Sequence, residues 1–476
     1  MRRLRSIRMQ PHIPFVGAGS YPVRPGNTLR PLVGSVPAYR RIGAAVEAAR
    51  HSVWLTVAFV TPDFQFPDGR GALFDLLDRA VERGVDVRVL FWRFNPESSG
   101  YGRTFPGSDA DRAMLAARGS RFGIRWDRAQ AAYCQHQKSW LVDAGEPSET
   151  AFVGGINLTG KALSPGHAGD GQRHDLYVEV TGPSASDVHH NFVQRWNEAS
   201  ERHLADGFWG RSGGDALPFP TRSSPAQGGS LVQIQRNVHA GRYSDGRPSP
   251  GGHAYDIAGG EQSITEQYRL AIDAARRSIY IENQAIPVPA IAARLESALQ
   301  RGVDVVALVP AEPEDHIYAA RRAGRHQALF AGLAALGHYE NFALVGIARR
   351  NAQGGRSNVY VHAKIMLVDD GWATIGSCNL HANSLYGHSE MNASFWDPVI
   401  VRSLRCTLLA EHLGLDTAQL DDRAAFDLYR RVARENCLKR DAGDADWQGL
   451  AFALDPAKYG MGGGMAVAEG AHRVPS

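Results

Sequence analysis

The apolar and polar positions of this chain recur at long range. Ala45-Val46-Glu47-Ala48-Ala49-Arg50-His51-Ser52-Val53-Trp54 has a counterpart in Ala271-Ile272-Asp273-Ala274-Ala275-Arg276-Arg277-Ser278-Ile279-Tyr280, 226 residues on (271 − 45). In each, the end of an amphipathic helix runs into an apolar strand, predicted over 53–57 and 279–281. A second pair, Ala80-Val81-Glu82-Arg83-Gly84-Val85-Asp86-Val87 and Ala298-Leu299-Gln300-Arg301-Gly302-Val303-Asp304-Val305, closes a helix on glycine and starts a β-branched strand at once. Short helix-to-strand connections of this kind build layered α/β folds.

The expected fold class is therefore α/β: two homologous halves, each a mixed β-sheet flanked by helices, packed about a pseudo-twofold axis. Such an axis brings equivalent residues of the two copies face to face. Between the halves the composition shifts to Gly213-Gly214, Pro218, Pro220, Gly228-Gly229 and Pro248-Ser249-Pro250-Gly251-Gly252, which is linker chemistry. One alternating piece, 231–235, reads as a strand opening the second half. A helix is predicted over 424–438, and Gly462-Gly463-Gly464 begin a mobile tail. The resulting division is an N-terminal arm (1–37), a first half (38–204), a linker with one strand (205–259), a second half (260–422) and a C-terminal helix with tail (423–476).

Composition narrows the function classes. With 52 basic against 49 acidic residues the net charge is +3, without the basic excess of most nucleic-acid binders. No run of about 18 apolar residues predicts a membrane-spanning helix. The start, Met1-Arg2-Arg3-Leu4-Arg5, is basic but no apolar stretch of a signal peptide follows it. We expect a cytoplasmic chain, with a basic end able to touch anionic lipid. Cys134, Cys378, Cys406 and Cys437 are scattered, fit no metal spacing, and are expected to be free thiols.

The chemistry lies in a third repeat. His136-Gln137-Lys138-Ser139-Trp140-Leu141-Val142-Asp143 and His362-Ala363-Lys364-Ile365-Met366-Leu367-Val368-Asp369 are again 226 apart (362 − 136). On a strand, residues two apart share a face, so each His and Lys project together. Asp143 and Asp369 have the opposite parity and sit where the strand meets a turn, which suits a supporting role. Next come Gly154-Gly155-Ile156-Asn157 and Gly376-Ser377-Cys378-Asn379. Small residues such as Gly155 and Ser377 let backbone approach a ligand, and Asn157 and Asn379 offer amide donors to phosphate oxygens. Farther on, His174-Asp175 and His388-Ser389-Glu390 supply a carboxylate to each half. The run from histidine to carboxylate is longer in the first half, where loops at 145–150 and 164–171 absorb the excess. A zinc site made of His136, His174, His362 and His388 is disfavoured, because a lysine two residues on sets a cation beside the metal.

The double His-x-Lys-x4-Asp motif, the Gly-Gly/Ser-x-Asn follow-up and the later carboxylate resemble the phospholipase D superfamily over roughly residues 38–420. Ile281-Glu282-Asn283-Gln284 resembles a segment of its phospholipase D branch. The resemblance implies one active site built from both halves. One histidine attacks the phosphodiester and forms a covalent phosphohistidine, and the other protonates the leaving alcohol. The N-terminal histidine is the family's usual nucleophile, which assigns His136 as nucleophile and His362 as acid; the internal symmetry leaves the reverse open. Lys138, Lys364, Asn157 and Asn379 would hold the non-bridging oxygens in place of a metal ion, so no cofactor is expected. Asp175 and Glu390 would orient the histidines.

The implied activity is phospholipase D-type hydrolysis of a glycerophospholipid to phosphatidic acid. The alternatives are phosphatidyl transfer of the cardiolipin or phosphatidylserine synthase type, and a nucleic-acid phosphodiesterase on the same scaffold. Expected partners are a phospholipid at a peripheral membrane surface and a water or alcohol acceptor; the charge argues against nucleic acid, and a monomer is expected. Glu282-Asn283-Gln284 are either a polar cluster satisfying the core or substrate contacts. Trp92, Trp140 and Trp372 are candidates for a headgroup pocket, with core packing favoured for Trp140. His189-His190 and Arg321-Arg322 read as solvated helix faces.

Overall fold

The computed structural model describes residues 11–94, 105–130, 132–160, 173–200 and 215–461. The first eight residues, the 164–171 loop, Gly213-Gly214 and Gly462–Gly464 lie outside these. Strands of both halves join in one 17-stranded sheet flanked by helices. In the first half the strand Ser52–Val57 pairs parallel with Asp86–Trp92, which pairs parallel with Gly123–Asp127. On its other side Ser52–Val57 runs antiparallel to Ser139–Val142, followed by Thr150–Gly154, Leu176–Thr181 and Arg24–Val33, all antiparallel.

The second half repeats this order. Ser278–Asn283 pairs parallel with Asp304–Leu308 and that strand with Phe342–Arg350. Antiparallel neighbours on the other side are Lys364–Val368, Trp372–Gly376, Glu390–Trp396 and Ser230–Val238. The two halves meet where Arg24–Val33 pairs antiparallel with Ser230–Val238. The pseudo-twofold axis passes there, and the fold class agrees with the expectation.

Three apolar cores follow from this layout. One under the helices Ser35–Ala48 and Leu73–Glu82 holds Ile42, Leu76 and Leu77. Its counterpart under Ser263–Ala274 and Pro289–Gln300 holds Ile272, Leu295 and Leu299. The third lies between the halves, where Val153, Val178, Ile365, Ile375 and Phe395 bury one another. Both halves contribute to that central core, so neither forms a closed unit on its own.

Three boundaries drawn from composition need correction. The span 1–37 is not an arm: Arg24–Val33 is a full sheet member, and the Arg24 guanidinium makes paired bonds of 2.7 and 2.8 Å to buried Asp187. Its arginines and prolines hid the strand's alternation. The span 205–259 is not a tether. Ser230–Val238 is a sheet strand, and the segments on either side of it bind the helix Ala185–Asn197, with Asn197 Nδ2 donating to the Leu217 carbonyl (2.8 Å) and Gln194 Nε2 to the Asp245 carbonyl (2.6 Å). That cover buries His189 and His190, which are not a solvated face; His189 Nδ1 meets Glu149 at 2.9 Å. Beyond the helix Asp422–Asp441, Ala451–Ala453 adds an antiparallel edge to Phe342–Arg350, so this part of 423–476 belongs to the second sheet. Apolar stretches of only three residues carry no readable period.

Asp143 and Asp369 do the same work in each half. Both adopt left-handed backbone, φ 53° and 54°. Asp143 Oδ1 accepts from the backbone N–H groups of Arg50, His51 and Ser52 (2.9, 2.8 and 3.4 Å). Asp369 accepts from Arg276, Arg277 and Ser278 (2.9, 2.8 and 2.9 Å). Each carboxylate thus caps the turn that feeds the central parallel strand. Asp369→Ala strands these donors and is expected to cost about 1–3 kcal/mol. It should lower the urea midpoint without changing the slope; an unchanged midpoint would remove the capping role.

Candidate active site

Each His-x-Lys segment enters the sheet at the leading end of an apolar strand, Ser139–Val142 or Lys364–Val368, and all four side chains are buried. What lies beside each histidine comes from the opposite half. His136 Nδ1 sits 2.9 and 3.0 Å from the Glu390 oxygens, and His362 Nδ1 sits 2.5 Å from Asp175 Oδ2. The backbone crosses in the same way. The His136 N–H donates to the Ser389 carbonyl (2.9 Å), and the His362 N–H to the His174 carbonyl (2.8 Å). Tyr360–Val361 and Arg173–His174 form a parallel pair across the halves. The unequal His-to-carboxylate spacing within a half therefore has no bearing on the pairing. With both Nδ1 atoms engaged, Nε2 is the nitrogen each ring can offer to a substrate.

The lysines fold back beside their own histidines. Lys138 Nζ donates to the His136 carbonyl (2.7 Å), and Lys364 Nζ to the His362 carbonyl and to Gln284 Oε1 (3.1 Å). Burial lowers Lys138 to about 8, against the pull of Glu390. It lowers Lys364 to about 7, against the pull of Asp175. Burial, then the neighbouring lysines, holds both imidazoles well below the usual histidine value. Burial also raises Glu390, and raises Asp175 to about 7. With Asp175 protonated below about 7 and donating to His362 Nδ1, the imidazole's own proton sits on Nε2, where a leaving oxygen can take it.

A pH dependence follows. The lowered lysines lose their charge as pH rises through about 7–8, well before an ordinary lysine does. The alkaline limb of kcat/KM is expected there. A bound phosphodiester anion favours the charged ammonium, so the limb of kcat should lie higher. A kcat/KM that stays flat to about pH 9.5, near the ordinary lysine range, would contradict this.

The remaining sequence-derived residues divide. Asn157 and Asn379 are buried at equivalent places, each with an Oδ1 that has no hydrogen-bond partner. Gly155 and Ser377 do not serve as phosphate ligands and are corrected to a different role. Both spend their N–H on a neighbouring strand, at the Leu176 and Met391 carbonyls. Ser377 Oγ donates to Glu390 (2.5 Å), and a Cβ on Gly155 would lie 2.5 Å from Asp175 Oδ1. These positions make room for the carboxylates or hold them.

Of the polar run in the second half, Asn283 caps local backbone through Ala285 and Leu380. Glu282 lies behind the site on His174 Nε2, at 2.7 Å. Gln284 alone reaches forward, accepting from Lys364 and from Asn379 Nδ2 (3.4 Å) and donating to Glu314 (2.8 Å) and the Tyr360 hydroxyl (3.0 Å). Trp92, Trp140 and Trp372 are all buried in the fold. The aromatic residue beside the reaction centre is Phe59, 6.0 Å from the His136 ring and 5.8 Å from Lys138 Nζ. No motif marked it, nor Tyr360 and Glu314. The four-histidine zinc arrangement does not form: His136 and His362 face carboxylates, and His388 Nδ1 accepts from the Cys134 N–H (3.0 Å).

Two half-sites, each completed by the other half, match a known class. A family described as "Cardiolipin synthase, PLD-like domain" matches residues 268–410. Cardiolipin synthase A of Pseudomonas putida is 27% identical over 375 residues, 77% of this chain and 64% of that protein. Phospholipase D alpha 2 of Oryza sativa subsp. japonica is 24% identical over 85% of this chain and 65% of its own length. The chain thus spans under two thirds of these relatives. Phosphatidylserine synthase of Haemophilus influenzae Rd KW20 shares the fold, with TM-score 0.53 and 13% identity over 87% of this chain and 94% of that one. The chain is similar to the phospholipase D superfamily over both halves. Within it, the likeness runs to the cardiolipin synthase-like branch. Among the described residues no helix is long and apolar enough to cross a membrane.

Proposed function

We propose that this chain transfers a phosphatidyl group from one alcohol to another at a lipid surface, through a covalent histidine intermediate. The observation that carries the reading is the crossed pair of His–carboxylate contacts with a lysine beside each ring. His136 Nε2 attacks phosphorus, the P–O bond to the headgroup breaks, and the leaving oxygen takes the proton held by the His362–Asp175 pair. An acceptor hydroxyl then gives its proton back to His362 and attacks phosphorus, and His136 Nε2 leaves. Lys138, Lys364, Asn157 and Asn379 hold the non-bridging oxygens through both steps, and the charge they offset grows in each transition state.

Hydrolysis to phosphatidic acid is the same sequence with water as acceptor. The relatives named cardiolipin synthase support transfer better than the hydrolysis expected first from the motifs. Phosphatidylglycerol vesicles decide between them. Cardiolipin plus free glycerol is the expected product; phosphatidic acid alone would assign the chain to hydrolysis, and no turnover of any phospholipid would sink the reading.

A further inference from the structure

Behind the reaction centre, at the seam of the halves, lies a cluster that this chemistry does not use. His174 comes from the strand Arg173–His174, and Glu411 and His412 from the helix Pro398–Leu413. The His174 and His412 rings are 5.1 Å apart, and one donor atom from each of the three residues lies within 4.8 Å of the others.

The hydrogen bonds fix what each ring can offer. The Tyr280 hydroxyl donates to Glu282 Oε1 (2.7 Å), and His412 Nδ1 lies 3.0 Å from that hydroxyl and 3.3 Å from the Tyr429 hydroxyl. With Nδ1 engaged by these hydroxyls, Nε2 is the ring nitrogen left to a ligand. That Nε2 is wholly buried and has no hydrogen-bond partner; Glu282 Oε1, itself an acceptor, is 3.9 Å away. A buried imidazole nitrogen with no partner, set beside carboxylates, is a place a cation would satisfy. His174 is held the other way round. Its Nε2 is bound to Glu282 Oε2 (2.7 Å), and its Nδ1 faces Glu411 Oε2 at 3.9 Å. Glu411's other oxygen is held by Arg349 at 3.2 Å. Each of the three would-be donors thus has its second polar atom fixed by an outer partner, the arrangement that orients metal ligands.

We propose that His174 Nδ1, His412 Nε2 and Glu411 Oε2 bind one divalent transition-metal ion of the zinc kind, with a fourth position left to water. Two imidazoles and one carboxylate form a donor set that such ions take at about 2.0–2.2 Å. Closing from the present spacing to those bonds falls to Glu411, whose side chain is 32% exposed and can turn. The ion displaces the His174 Nδ1 proton. It would tie the first half's His174 to a helix of the second half. The His174 carbonyl accepts from the His362 and Ala363 N–H groups (2.8 and 3.0 Å), so the ion braces the backbone that carries the site without entering the reaction.

The full chain, stripped by chelator and titrated with Co2+ and then Zn2+, tests this without reference to activity. One Co2+ per chain with the visible absorption of a tetrahedral site is expected, displaced by Zn2+, with a metal-dependent rise in the thermal midpoint. Glu411→Gln and His412→Gln should each weaken binding by about 100-fold or more. Glu411→Gln changes a partly exposed side chain and keeps the test valid if His412→Gln fails to fold. His136→Gln should bind as the wild type does. Absence of the tetrahedral signal, its persistence in Glu411→Gln, or its loss in His136→Gln would overturn the proposal.

Discussion

His136→Ala and His362→Ala should each lower phosphatidylethanol formation from phospholipid and ethanol by about 10⁴-fold or more, since one removes the covalent route and the other the only placed acid. The two losses differ in kind, and an activated diester separates them. The p-nitrophenolate ion leaves without a proton, so His362→Ala should still release a burst of it approaching one equivalent per chain. His136→Ala should release none, for lack of a nucleophile. A burst from His136→Ala and none from His362→Ala would exchange the two roles. Steady, rapid turnover by either variant would remove the covalent mechanism.

The second large effect tests the crossing of the halves. Asp175→Asn and Glu390→Gln keep shape but lose the charge that fixes each ring's tautomer, and a loss of about 10²–10⁴-fold in kcat is expected. Double-mutant cycles then report which carboxylate acts through which histidine. Once His362 is absent, Asp175→Asn should cost little more, because its partner is gone. Glu390→Gln should still cost most of its single-variant loss in that background. The reverse pattern would mean that each carboxylate serves the histidine of its own half.

Much of this site was legible because duplication makes a pattern self-checking. One His-x-Lys on a strand says little; two in register with helix-to-strand repeats mark a pair of facing segments. The two capping aspartates were readable for the same reason, since their parity at +7 excluded them from the pocket. Which carboxylate meets which histidine was not readable. The pairing depends on strands crossing between halves, and a sequence lists residues in an order that favours neighbours within a half. Gly155 and Ser377 were assigned to phosphate because small residues do permit close approach. Here the groups approaching closely are Asp175 and Glu390. The strand Arg24–Val33 was missed because both its faces carry arginine or proline; Pro25 and Arg30 point to solvent, and buried Arg24 is neutralised by Asp187. Phe59 and Glu314 enter the site from connecting segments that share no period with the motifs, whereas Tyr360 lies two residues before His362.

The central claim, one covalent site assembled from two halves, is tested most directly by trapping the intermediate. Wild type and His362→Ala would be mixed with a phospholipid carrying a p-nitrophenyl headgroup, quenched rapidly, and mapped by peptide mass spectrometry. The account predicts a single phosphatidyl group per chain, on Nε2 of His136, accumulating in His362→Ala. Product formation by the wild type with neither His136 nor His362 carrying the group at any time would contradict it.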